Sequence, residues 1–183
     1  MFVAKKTLPM DVIRIDGGTQ SRVKIRTDVV DDYAEHMANG SVFPPGVAFF
    51  DGKEYWLADG FHRYFATKSN GTVSIEADVR AGTLDDAILF AFGANGKRGL
   101  SMTAEDNRNV IYAMLRHPEW SKWSNGTIAK HVGVSKMTVG RVKATMEMKE
   151  TDTVKKYKDK HGNEVKVDTE KSKTKKAAPT TKP

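Results

Sequence analysis

Gly60-Phe61-His62-Arg63 stands where an apolar run, Tyr55 to Ala58, stops at Asp59 and an amphipathic run begins. A glycine ahead of a helix start lets an anion come close to backbone N–H groups that have no partner within the helix. A histidine and an arginine just inside that helix add hydrogen bonds and charge. Gly60, His62 and Arg63 are therefore a candidate phosphate cradle, and Arg63→Ala is expected to abolish phosphate or nucleotide binding while the domain stays folded. The same residues also suit a tight turn with His62 and Arg63 solvated, and both readings stand at this point. Phe61, an aromatic at a strand-to-helix join, is expected in the core.

A second constellation runs from Asn125 to Lys143. Two helices that cross steeply over a tight turn need a small residue at the crossing and a residue able to turn left-handed. Ala129 and Gly133 occupy those places, and Ile128, Val132, Val134, Val139 and Val142 supply the apolar face. This is the pattern of a helix-turn-helix, whose second helix enters the major groove by its N-terminal part. Ser135 is a good N-cap for that helix. Arg141 or Lys136 would read guanine edges and Thr138 a base or a phosphate. Gly126 and Thr127 would offer backbone N–H groups to a phosphate. The expected DNA-facing set is Thr127, Ser135, Lys136, Thr138, Arg141 and Lys143.

Charge points the same way. The net charge is +7; residues 151–183 carry +5, residues 124–150 carry +3, and the remaining 123 residues sum to −1. A basic C-terminal third suits a polyanion, nucleic acid first. The chain has no cysteine, which excludes a disulfide scaffold, a thiolate metal site and a thiol nucleophile, and fits a cytoplasmic protein. His36, His62, His117, His131 and His161 show no metal-ligand spacing, so no metal site is expected. No apolar run is long enough for a membrane span.

The elements that must position these residues are legible in outline. "MDVIRID" (10–16) alternates as a strand, and Thr27 caps a helix running to Asn39-Gly40. "VAFF" and "EYWLA" flank Asp51-Gly52, a hairpin signal. A short helix from His62 to Ser69, an alternating strand "VSIEADVR" and a helix capped by Thr83 complete an α+β unit. From Ser101 the pattern is helical, with a capping-box-like start at Thr103 and Asp106. The expected organisation is an α+β domain over 1–99, an all-α domain over 100–150 and a lysine-rich tail over 151–183. The tail would be largely disordered, with a small hairpin around 154–168.

In this order the motifs resemble the ParB family, whose N-terminal nucleotide-binding domain is related in fold to sulfiredoxin and precedes a helical DNA-binding domain. The likeness covers roughly residues 10–150. The family's phosphate box reads Gly-Glu-Arg-Arg-x-Arg-Ala; Gly60, Arg63 and Ala66 match, while Phe61, His62 and Phe65 replace the acid and two arginines. Its second box reads Glu-Asn-x-x-Arg; Asn95 and Arg98 match and Ala94 replaces the acid. Gln20 and Arg22 match a Gln-x-Arg near the domain start. Gly-Phe-His-Arg is closer still to sulfiredoxin's Gly-Cys-His-Arg, but Phe61 cannot act as the nucleophile, so the chain is not a sulfiredoxin.

The resemblance implies a nucleotide or phosphate site at Gln20, Arg22, Gly60, His62, Arg63, Asn95 and Arg98, with CTP or ATP as ligand. Both boxes lack the carboxylate that magnesium would want. It implies double-stranded DNA as partner, a homodimer as a candidate assembly, and a setting in plasmid or phage partition or in transcriptional regulation. The family's usual C-terminal dimerisation domain has no counterpart in the tail. An NTPase or nuclease on the same scaffold, with Asp59, Glu54 or His62 as base, and an adaptor that binds protein without nucleotide are the alternatives.

Overall fold

A computed structural model of the chain describes residues 3–94, 101–152, 154–158 and 164–168. Five strands form a mixed sheet: β1 (Val3–Pro9), β2 (Ile13–Arg14), β3 (Gly46–Phe50), β4 (Tyr55–Asp59) and β5 (Ser74–Ala81), in the order β1-β5-β3-β4-β2. β1 and β2 lie on opposite edges, yet only a 3-10 turn at Met10–Val12 separates them in the chain. Four strand spacings in a flat sheet come to about 19 Å, whereas the four-residue step from Pro9 to Ile13 reaches about 14 Å at most. The sheet must therefore curl until its edges approach. Leu8 and Ile13, on either side of the turn, are buried in one cluster.

The expected strand over 10–16 is thus corrected. Its first residues are the 3-10 turn, and only Ile13–Arg14 pair, parallel to β4. The long strand lies before it, over Val3–Pro9, paired antiparallel with β5. Of that strand only Leu8 is buried, so it carries no alternating apolar signal, and its lysines weaken strand propensity. The Asp51-Gly52 hairpin is present: Asp51 Oδ1 accepts N–H groups of Lys53 (2.9 Å) and Glu54 (2.8 Å).

Helix α2 (Phe61–Ser69) covers one face of the sheet, and α1 (Thr27–Ala38) packs against α2. Thr27 is not the N-cap of α1; that position is Arg26, without a side-chain cap. Helix α3 (Leu84–Ala94) covers the other face, and Thr83 and Asp86 cap it reciprocally. Ala87 and Phe90 of α3 pack with Phe49, Ala58 and Trp56 of the sheet, while Phe92 is buried among the helices that follow. One helix therefore serves two cores.

The second core is built by α4 (Ala104–Arg116), a 3-10 turn at Trp120–Lys122, α5 (Asn125–Val132) and α6 (Lys136–Asp152). The Thr103–Asp106 capping box is formed in full. Ile111, Met114, Ile128 and Val139 are fully buried there. His131 Nε2 lies 2.8 Å from the Leu89 carbonyl, tying α5 to α3. After α6, β6 (Val154–Lys158) and β7 (Glu164–Asp168) pair antiparallel, with Tyr157 opposite Val165. Among the described residues no helix is long and apolar enough to cross a membrane.

Candidate functional site

Gly60 is the N-cap of α2, left-handed at φ +95°, and provides no side-chain acceptor for the N–H groups of the first turn. A Cβ there would meet the Arg63 guanidinium at 3.0 Å and the Gly46 Cα at 3.2 Å, so the position requires glycine for space as well as for backbone angle. Arg63 is not solvated. Its Nη1 donates to the carbonyls of Pro44 (2.7 Å) and Pro45 (3.2 Å), and its Nη2 donates to Asp59 Oδ2 (3.0 Å). Arg63 joins the Phe43-Pro44-Pro45-Gly46 turn to the end of β4, which corrects the tight-turn reading in which its side chain is solvated. One nitrogen of the guanidinium meets both proline carbonyls and the other meets Asp59, so the planar fork spans the turn and the strand end. Phe61 is buried in the main sheet core, as expected.

His62 is 9% exposed, and its Nε2 accepts the N–H of Arg26 at 3.3 Å. Burial pushes its pKa below the ordinary 6.5, and the positive charges of Arg22 and Arg26 push it further down against a weaker pull from Asp28. The ring is therefore neutral near pH 7 and fixes the entry to α1. In the unfolded chain this histidine takes up a proton that the folded site resists, so the contribution is full above pH 6.5 and is lost as the pH falls below it. Urea midpoints at pH 7.5 and 5.5 are expected to show a smaller drop for His62→Gln, whose amide oxygen can accept the same N–H without titrating. Equal drops in both proteins would show that His62 does not set this slope.

The Gln20 and Arg22 side chains lie in the loop that leads to α1. Gln20 Oε1 accepts the Arg22 N–H at 2.9 Å, while Gln20 Nε2 and the Oγ1 of the fully buried Thr19 have no hydrogen-bond partner among the described residues. Arg22 Nη1 donates to the Ser101 carbonyl at 3.1 Å and lies 3.9 Å from Asp106 Oδ2. Asp106 Oδ1 accepts the Val23 N–H at 2.7 Å. The acid that caps α4 therefore also holds the loop bearing Gln20 and Arg22. The sequence showed Asp106 only as a cap. Asn95 and Arg98 lie outside the described residues. The sequence-derived bases each have a partner: Glu54 Oε1 is 3.5 Å from Arg14, Asp59 is paired with Arg63, and His62 is engaged as above.

In the helical unit, Gly133 ends α5 in the left-handed region at φ +82°. Ile128, Ala129, Val132, Val139 and Val142 are buried and Val134 is partly buried against them. The two helices start alike. Ser124 Oγ accepts the Thr127 N–H and Ser135 Oγ accepts the Thr138 N–H, each at 3.1 Å, and each serine hydroxyl pairs with that threonine's at 2.9 Å. The Thr127 N–H is thus taken by its own cap, which corrects its expected offer to a phosphate. Ser135, Lys136, Met137, Arg141 and Lys143 are exposed and Thr138 is half-buried. Met137 stands beside Arg141, whose Nη2 is 3.3 Å from its sulfur.

No family model matches the chain. The C-terminally truncated chromosome-partitioning protein ParB from Caulobacter crescentus, complexed to the centromeric parS site, aligns over 75% of this chain and 69% of its own, with a TM-score of 0.52 and 16% identity. The chain has a ParB-type fold. The same bacterial protein complexed with CTP-gamma-S aligns over 79% of both chains at 15% identity and a TM-score of 0.46. Sulfiredoxin from Arabidopsis thaliana aligns over 45% of this chain and 91% of its own, at 22% identity and a TM-score of 0.40. In sequence, the transcriptional regulator NovG of Streptomyces niveus is 28% identical over 90 residues, which cover 49% of this chain and 27% of NovG. The chain thus spans about a quarter of that curated relative.

Proposed function

We propose that the chain is a ParB-like DNA-binding protein in which α5 and α6 form a helix-turn-helix that recognises a specific sequence in double-stranded DNA. The observation that carries this reading is the division of α6. Val139 and Val142 are buried against α4 and α5, while Lys136, Arg141 and Lys143 are exposed along the outer side. A capped N-terminal turn with cations facing outward suits entry into a major groove. The likeness to a ParB complexed to its parS site and to a transcriptional regulator supports a role in DNA partition or transcriptional control. The boundaries proposed for the units are 1–99, 100–150 and 151–183, with the basic last segment adding attraction to any DNA.

The N-terminal unit is proposed to hold the phosphates of a nucleotide, CTP first, against the uncapped start of α2. Arg22 and Arg26, which already bear on His62, would supply positive charge. Arg63 would then act by holding Gly60 and the proline turn in place. Calorimetry with CTP, with ATP as comparison, tests this part.

The DNA reading is tested by selecting a preferred duplex from a random pool and measuring affinity by gel shift. Arg141→Ala is expected to weaken the selected site by about 1–3 kcal/mol, with a smaller effect on random DNA. Equal losses on both would mean that Arg141 meets only phosphate. A pool that yields no preferred sequence would overturn the reading.

A further inference from the structure

Met137 is 65% exposed, whereas Met10, Met37, Met102, Met114 and Met146 are all at least partly buried. Lys136 opens α6 and Met137 follows it, so the methionine sits in the turn that would enter the groove. A large apolar side chain held in water at such a place has no packing reason: the core-facing positions of α6 are Val139 and Val142.

Helical spacing puts Met137 and Arg141 one turn apart on one stripe. Their contact, Arg141 Nη2 to Met137 sulfur at 3.3 Å, holds the flexible thioether alongside the guanidinium. The neighbouring outward positions are Gly140 and Ala144, too small to keep the helix away from a surface. A Cβ on Gly140 would come no nearer than 3.8 Å to Asn125 Nδ2, so packing within the chain does not demand a glycine there.

The geometry points to Met137 as a base-reading residue that takes up the 5-methyl group of a thymine in the major groove, beside the guanine met by Arg141. This rests on the proposed DNA-binding function. The groove floor offers one apolar group, the thymine methyl, and the guanine edge suits an arginine fork. The recognised sequence would hold a thymine within one or two steps of a guanine, since one helical turn advances about 5.4 Å and one base pair about 3.4 Å.

The test uses the full chain and its selected duplex. Each thymine is replaced in turn by deoxyuridine, which deletes the methyl and nothing else. At least one of these replacements is expected to weaken binding about three- to fivefold, the worth of one buried methyl. Met137→Ala should bind the thymine and uracil duplexes equally, and Met137→Leu should keep the preference. The proposal is overturned if the wild type is indifferent to uracil at every position, or if Met137→Ala retains the penalty. A selection that returns no preferred duplex would remove the DNA-reading function itself, and this proposal with it. Because the methyl is deleted from the DNA, the first comparison does not depend on how any variant folds.

Discussion

Asp106→Ala is expected to lower the unfolding free energy by about 3–5 kcal/mol, the sum of two N–H groups left without their acceptor and the loss of a carboxylate beside a buried guanidinium. Asp106 is 5% exposed. Its Oδ2 accepts the Thr103 N–H at 2.9 Å, its Oδ1 accepts the Val23 N–H at 2.7 Å, and Arg22, with a side chain 9% exposed, lies within 3.9 Å. Removing the carboxylate leaves both N–H groups unpaired and takes the counter-charge from a buried guanidinium. Asp106→Asn keeps one acceptor oxygen and should lose less. Burial acts to raise the Asp106 pKa, but the hydrogen bonds from Val23 and Thr103 and the charge of Arg22 outweigh it and hold the carboxyl below its ordinary 3.8. The contribution is therefore full above that value and is lost as the pH falls through the lowered one. Urea unfolding at neutral pH measures the loss; a change below about 1 kcal/mol would show that the loop and α4 are not held together by this residue.

Arg63→Ala is expected to cost about 2–4 kcal/mol, since charge-assisted hydrogen bonds to three acceptors disappear together from a side chain only 15% exposed. Loss of ligand binding in that variant would then follow from a loosened Gly60 turn, and thermal unfolding must be read beside any binding measurement. Arg63→Lys should recover part of the stability, because a point charge can meet Asp59 or the proline carbonyls but has no second nitrogen with which to span both. Gly60→Ala should be destabilised by the same contact from the other side, through strain at φ +95° and the 3.0 Å approach to the guanidinium. An Arg63→Ala protein with the melting temperature of the wild type would refute this role.

What the sequence settled was local. The capping box at Thr103 and Asp106, the Thr83 cap, the Asp51-Gly52 hairpin and the left-handed Gly133 all depend on residues within four positions of one another, so backbone stereochemistry and nearby side-chain acceptors dictate them before any tertiary contact forms. The buried valines around Gly133 were legible for the same reason, since helical periodicity alone puts them on one face. The tertiary structure decided which polar groups near Gly60 are available. His62 is an acceptor for Arg26, Arg63 is bound to Pro44 and Pro45, and Asp106 holds Val23, across separations of 36, 19, 18 and 83 residues. A side chain's hydrogen-bonding capacity is fixed by its type, but whether water or a distant carbonyl fills it depends on how the curled sheet and the helices bring remote backbone together. The same holds for β1, whose place in the fold comes from pairing with β5 across 65 to 77 residues, from Pro9–Ser74 to Val3–Arg80, and hardly from any apolar pattern of its own.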